Sequence, residues 1–290
     1  MMKKVLITGA GSYIGQSFEN YAKNHYADTM EIDTLDMLDP NWRAKDFGGY
    51  DVVFHVAGIA HADVEKVSEE TKALYYRVNT DLAVETAKKA KIEGVGQFVF
   101  MSSMIVYGGM EHVTADTEPS PANFYGDSKW QADQAVRELD APEFKVVVLR
   151  PPMIYGKGSK GNYPVLAKLA KKLPVFPKVK NQRSMLYIEN LCEFVCLMIQ
   201  NEERGIFFPQ NECLVNTADM VAEIAKISGH KIWVTKLLAP FVAVGKHMPG
   251  KIGGLCKKAF GSSFYDLEMS SYKDSYCVCE LRESLKRTEG

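Results

Sequence analysis

The chain has 290 residues, enough for a large α/β domain with a smaller appendage. Its 46% hydrophobic and 24% charged residues are ordinary for a globular protein, and a formal net charge of −1 argues against a general nucleic-acid binder, which carries a basic excess. No apolar run is long enough to span a membrane. The one after Met1-Met2-Lys3-Lys4 breaks at Gly9, and the patch from Leu237 to Val244 is short and contains Pro240. A cytoplasmic protein is expected, with neither a nucleic acid nor a membrane as partner.

Val5-Leu6-Ile7 reads as a short buried strand. Gly9, Gly11 and Gly15 crowd the turn that follows, ahead of an amphipathic run from Ile14 to Tyr26. Glycines there let the backbone approach a pyrophosphate, and the next helix offers free N–H groups and its positive dipole end. The spacing is G-x-G-x-x-x-G rather than the commoner G-x-G-x-x-G, and alone it also suits a plain tight turn. Met30-Glu31-Ile32 is a second strand-like segment, with Asp33 after it. Asp51 to Val56 is a strand, Thr80 to Lys91 a helix and Gln97 to Met101 a strand. Ser128 to Leu139 is then a helix and Phe144 to Leu149 a strand. This alternation predicts an α/β fold with a Rossmann-type, doubly wound parallel sheet. Only 17 residues separate Asp33 from Asp51, so the crossover there must be abbreviated.

After Arg150 the pattern changes, punctuated by Pro151, Pro152, Pro164, Pro174 and Pro177. Leu191 to Gln200 is a helix, and Thr217 to Ser228 another with Thr217 as N-cap. Residues from Lys231 onward carry no clear pattern. The predicted organisation is an NAD-binding domain over 1–155, to which 184–208 returns, and a mostly substrate-binding region over 156–290. All six cysteines lie in the second half, with no C-x-x-C pair, and Cys192 and Cys196 share a helix face. Reduced structural thiols and no metal site are expected.

Asp33 lies 24 positions past Gly9, where a carboxylate can bond the adenosine ribose hydroxyls. It would repel a 2′-phosphate, and Thr34-Leu35 offers no cation, so NAD is favoured over NADP. On the residues alone Asp33 is equally a surface turn acid beside Asp36 and Asp39. Tyr125 and Lys129 stand four apart at the start of a helix, on one face. A phenol beside an ammonium and an oxidised nicotinamide would favour its anion and serve as a base near neutrality. With 14 tyrosines, about one such pair is expected by chance. Its placement says more, because Ser102-Ser103 ends the preceding strand, and a hydroxyl at the carboxyl end of a parallel strand faces the ligand crevice of such a sheet.

Taken together, ITGAGSYIG, FHVAG at 54–58, RVN at 77–79, FMSSMIVYG at 100–108, YGDSK at 125–129, LRPPMIYG at 149–156 and RSMLYIEN at 183–190 resemble the extended short-chain dehydrogenase/reductase family. Within it the chain is similar to the sugar-nucleotide epimerases and dehydratases. The segments follow the family's order over about two thirds of the chain. The resemblance implies that Gly9, Ser12 and Gly15, with Tyr13 and Ile14 between them, form the dinucleotide turn, Ser12 replacing the usual middle glycine. It implies that Ala57 and Gly58 lie along the cofactor and that Asn79 braces it. Ser103 would bond the reacting sugar oxygen, Tyr125 would be the base, and Lys129 would hold the nicotinamide ribose. Arg183 would clamp the nucleotide diphosphate, and Asn162 would sit near the sugar phosphates.

Where the family's 4,6-dehydratases carry an acidic pair after the hydroxyl, this chain has Met104 and Ile105, which cannot move a proton. Dehydration is therefore not expected. The resemblance implies an NAD-dependent epimerase similar to UDP-hexose 4-epimerases, acting on a nucleotide sugar, most readily a UDP-sugar, through a transient 4-keto intermediate. A sugar-nucleotide 4-keto-reductase using NAD(P)H is the first alternative, and a non-catalytic NAD-binding regulatory protein the second; a homodimer stays open. His55 suits a strand core, and His61 could touch substrate.

Overall fold

The computed structural model describes residues 2–60, 67–248 and 250–290. Six parallel strands form the central sheet: β1 (Lys3–Thr8), β2 (Met30–Leu35), β3 (Val52–His55), β4 (Gln97–Met101), a strand at Lys145–Leu149 and a last one at Gly205–Phe207. Between β4 and Lys145–Leu149 comes a two-residue strand, β5 (His112–Val113), so the sheet strands are β6 and, after β7 (Met153–Tyr155), β8 (Val175–Pro177) and β9 (Met185–Tyr187), β10. Their order is β10-β6-β4-β3-β1-β2, which reverses direction between β1 and β3. In an open parallel sheet that reversal leaves a crevice at the carboxyl ends of the strands.

The inner strands are apolar on both faces because helices cover both. Val5, Ile7, Phe54, Val99 and Val147 face one side, toward α1 (Tyr13–His25), and share a core with a later helix, Ile188–Gln200. Leu6, Val53, Phe98, Phe100 and Val146 face the other, toward α3 (Leu82–Ile92) and α4 (Phe124–Arg137), while α2 (Glu69–Tyr76) packs on α4. Counting α5 (Asn162–Lys172), the Ile188–Gln200 helix is α6, followed by α7 (Thr217–Ile227). The crossover from β2 to β3 is short as predicted, with a single 3₁₀ turn at Trp42–Ala44.

Several predicted boundaries move. Asp33 falls inside β2, which continues to Leu35, because an edge strand tolerates exposed polar residues at Asp33 and Thr34. The helix over Thr80 to Lys91 is the end of a longer rod, α2 running into α3 through a π-helical turn at Arg77–Asp81. The cap of α7 is Asn216, not Thr217: its side chain accepts from the backbone N–H of Ala218 (3.0 Å). In α4 the cap is Asn123, which accepts from Gly126 N–H and starts the helix before Tyr125.

The remainder forms α8 (Ala239–His247), α9 (Gly250–Phe260) and α10 (Leu281–Glu289), with β11 (Trp233–Thr235) on β8 and β12 (Phe264–Tyr265) on β5. All six cysteines are free; Cys192, Cys196 and Cys279 are buried, and Cys213 is exposed. No helix among the described residues is long and apolar enough to cross a membrane.

One buried ion cluster joins α4 to the sheet. Arg150, at the end of β6, grips Asp133 of α4 through Nε and Nη2, both at 2.9 Å, and donates through Nη1 to the Tyr107 hydroxyl at 2.7 Å. Ser102 donates to the same carboxylate at 2.8 Å, and Arg137 at 2.9 Å. Removing one partner of such a pair leaves an uncompensated buried charge. Asp133→Ala is expected to cost about 3–5 kcal/mol of unfolding free energy in a denaturant titration. A loss below 1 kcal/mol would show that Arg150 is solvated by other means.

Candidate active site

The turn after β1 is shaped by glycine where glycine is required. Gly9 has φ +111°, and a Cβ there would lie 2.8 Å from the Ala57 nitrogen, so the β1 and β3 loops touch backbone to backbone. The N–H groups of Val56 and Ala57 both bond the Thr8 carbonyl at 3.0 Å. Ser12 needs no glycine: its φ of −71° and ψ of 151° are ordinary extended values, with the left-handed step taken by Gly11 at φ +76°. Ser12 caps α1, its hydroxyl accepting from Gly15 N–H at 3.1 Å. The first turn of α1 has no acidic residue, so Tyr13 and Ile14 present N–H groups to an anion at a positive helix end. The Tyr13 side chain turns elsewhere, its buried hydroxyl facing Gly156.

Gly58 closes the other wall. A Cβ on it would lie 3.0 Å from both Asn79 Oδ1 and Lys129 Nζ, a cradle that only a glycine leaves open. Asn79 sits in the π turn, fully buried, accepting from Ile59 N–H at 2.8 Å and donating to the Ile59 carbonyl and the Ser128 hydroxyl at 3.1 Å. A π turn adds a residue to a helix and re-aims the side chain it carries.

Ser103 starts a 3₁₀ turn, Met104–Tyr107, and accepts from Ile105 N–H at 3.2 Å. Tyr125, in the first turn of α4, stands edge-on to Tyr75 with ring centroids 5.8 Å apart. Its pKa is pushed up to about 12 by burial, with Tyr75 adding to the rise and hydrogen bonding with Ser103 opposing it. The fall expected from the sequence invokes an oxidised nicotinamide beside the phenol, and this rise belongs to the protein alone. The neighbouring ammonium is committed elsewhere: Lys129 donates to the Met101 carbonyl at 3.1 Å and lies 5.3 Å over the Phe100 ring. Burial lowers the Lys129 pKa to about 8, with Asp133 opposing. Behind it His55 is buried in β3, bonded through Nδ1 to Thr8 at 2.8 Å and stacked on Phe98 and Phe100. Burial, and then Lys129, push its pKa down to about 3, so the ring is neutral. His61 lies outside the described residues.

Asp33 accepts from the Tyr50 hydroxyl at 2.7 Å, while Asp36 and Asp39 bond the backbone of their own turns. A cation missed in the sequence stands there as well. Lys45 lies 5.2 Å over the Tyr50 ring, and its pKa is raised by Tyr50 first and by Asp33 in addition.

Arg183 is half-buried, and its described partners are carbonyls, not carboxylates. Nη1 donates to Lys258 O at 2.5 Å, at the end of α9, and burial lowers its pKa. Its backbone pairs with Ser263, whose hydroxyl is 3.5 Å from the Met104 sulfur, so this segment borders the residue after Ser103. Asn162 opens α5 exposed to solvent, and its side chain has no hydrogen-bond partner among the described residues. The glycine turn, Ala57, Gly58, Asn79, Ser103, Tyr125 and Lys129 thus belong to the loops and helix at one end of the sheet. Among the described residues no cluster of His, Cys, Asp or Glu could hold a metal ion.

The chain gives Lys129 an unusual pH signature. Its folded pKa lies below the ordinary lysine value, so between about 8 and 10.5 the unfolded state binds more protons and stability rises with pH. Lys129→Met is expected to raise unfolding free energy at pH 7 by on the order of 1–3 kcal/mol, with the gap closing as pH approaches 10. Denaturant titrations at both pH values test this, and an unchanged gap would mean that the ammonium is not desolvated.

The family model for NAD-dependent epimerases and dehydratases matches residues 5–207. An N-acetyl-α-D-glucosaminyl-diphospho-ditrans,octacis-undecaprenol 4-epimerase of Escherichia coli is 28% identical over 277 residues, covering 88% of this chain and 79% of the relative. A UDP-glucose 4-epimerase of Vibrio cholerae is 34% identical over 193 residues, which is 63% of this chain and 58% of that protein's length. Among solved structures, a dTDP-4-dehydrorhamnose reductase of Clostridium acetobutylicum superposes with a TM-score of 0.72 at 22% identity, over 98% of each chain. At that identity the likeness is one of fold.

Proposed function

The chain belongs to the NAD-dependent epimerase/dehydratase family, and we propose that it inverts C4 of a hexose carried on a diphosphate, a UDP-hexose in the first instance. The observation that carries this is the convergence of Ser103, Tyr125 and Lys129 at the sheet's open end, with Met104 and Ile105 where an eliminating enzyme needs an acid and a base. Glycine turn, helix end and the Gly58 cradle fit a dinucleotide. When bound, NAD supplies the site that accepts and returns the hydride. Tyr125 takes the proton of the sugar hydroxyl, Ser103 holds that oxygen, and Lys129 steadies the charge that Tyr125 gains. Since burial alone holds the phenol near 12, Tyr125 can act as a base at neutral pH only with positive charge brought beside it.

Arg183 suits the diphosphate, because its guanidinium has carbonyl partners but no carboxylate to neutralise it. The named substrate of the Escherichia coli relative is likewise a sugar on a diphosphate. Asp33 is proposed for the adenosine ribose, with Lys45 close enough to moderate its rejection of a 2′-phosphate.

Tyr125→Phe should fold and bind NAD, but lose about 10²–10⁴-fold in turnover, with Ser103→Ala losing less. Incubating wild type with UDP-, dTDP- and GDP-hexoses and resolving the product stereochemistry identifies the substrate. Net oxidation of added NADPH by a 4-keto nucleotide sugar, with no inversion of the hexoses, would make the protein a keto-reductase instead, and near-normal activity of Tyr125→Phe would end the proposed mechanism. A crossed pair separates the two binding ends. Asp33→Ala should weaken NAD several-fold and leave the substrate KM alone, whereas Arg183→Met should raise that KM and spare NAD; the reverse pattern would exchange their assignments.

A further inference from the structure

The segment between Glu223 and Asp266 contains seven lysines and no acidic residue, in a chain whose net charge is −1. Lys231, Lys236, Lys257 and Lys258 are exposed, and none of them pairs with a described carboxylate. Among the described residues the same segment carries the largest run of exposed apolar side chains. Leu237 is 72% exposed, Phe241 73%, Val244 67% and Met248 44%, and Trp233 on the neighbouring β11 is 62% exposed. Positions 237, 241, 244 and 248 follow helical spacing and form one stripe along α8 and its flanks. The adjoining face is fixed inward: Val242 and Gly245 are buried, and a Cβ on Gly245 would lie 2.8 Å from the Cys256 sulfur of α9. The stripe is therefore held outward by packing.

We propose that this face of α8 docks on an anionic lipid surface. The apolar stripe and Trp233 would enter the boundary between headgroups and acyl chains, and the lysines would face lipid phosphates. An apolar face beside a basic border with an aromatic at its edge is the composition of helices that lie on membranes. A nine-residue helix is far too short to span one. The expectation of no membrane partner tested only for a crossing segment, which is a different property. A second copy of the chain fits this face poorly, because a two-fold contact would set the unpaired lysines of both copies against each other. The surface is also joined to the substrate side, since Arg183 bonds carbonyls at the end of α9. The proposal does not rest on the reaction assigned above.

Flotation of the full chain with phosphatidylcholine vesicles, with and without phosphatidylglycerol, tests it directly. Binding is expected with the anionic vesicles and should decline as salt is raised. Leu237→Ser with Phe241→Ser should lower vesicle affinity by about tenfold or more, and Lys257→Gln with Lys258→Gln by roughly fivefold per lysine. The substituted side chains are exposed, and melting curves and turnover of soluble substrate confirm folding. Failure to float with either vesicle overturns the proposal, as does a wild-type dimer in sedimentation that Phe241→Ser dissolves.

Discussion

Asp133 is the residue on which the geometry of the site depends. It is fully buried and neutralises Arg150 through two bonds, so the middle of α4 is tied to the end of β6. Ser102 bonds the same carboxylate, which fixes the end of β4 to that helix as well. The two elements that carry Ser103, Tyr125 and Lys129 are thereby held to one anchor. Burial of charge would ordinarily weigh against such a design, because desolvation offsets most of the attraction. Here the pair is bidentate and its remaining valences are filled by Tyr107, Ser102 and Arg137. Asp133 also sits one helical turn beyond Lys129, and its charge opposes the burial that would strip the amine of its proton.

That arrangement leaves a division of labour between two buried cations. Arg150 is fully compensated and serves architecture. Lys129 has a carbonyl, an aromatic face and a distant carboxylate, which is too little to hold an ordinary lysine pKa. The neutral His55 ring behind it adds no counter-charge, being itself held neutral by burial. A poorly compensated buried ammonium, with a phenol held at about 12 on the same helix, is costly for the protein alone. It is the kind of cost that a site accepts where charge must develop on a substrate.

Much of the sheet was legible in the sequence for a simple reason. Val5-Leu6-Ile7, Val52 to His55 and Gln97 to Met101 are buried on both faces, so each reads as an unbroken apolar run. β2 was read short because it is an edge strand, where Asp33 and Thr34 face solvent and break the pattern. The start of α4 was placed late because its cap, Asn123, lies before residues such as Phe124 and Tyr125 that have no marked helical preference. At the site, the motifs gave the positions but not the direction of the Lys129 amine, which a carbonyl at the end of β4 decides, nor the burial that raises the Tyr125 pKa in the protein alone. Asp133 and Lys45 were missed for the same reason, since each acquires its meaning from a partner distant in sequence.

The region after Lys231 was opaque because its elements exist only through long-range pairing. β11 needs β8, and β12 needs β5, a strand of two residues with no pattern of its own. Yet this region is built into the site's frame. The Tyr265 hydroxyl bonds the carbonyl of Arg150 at 2.9 Å, its N–H bonds Ser184 at 2.9 Å, and Arg183 next to Ser184 takes its carbonyl partners from the end of α9. The late segment thus braces the Asp133–Arg150 anchor through the Arg150 backbone, in an apolar cluster that also takes in Trp130 of α4. A change in how α9 sits would reach Arg183 directly, and through Ser263 and Met104 the turn that carries Ser103. The side of the site that carries Arg183 is therefore the part whose geometry is set latest along the chain and least by local sequence, the kind of segment in which one fold varies its function.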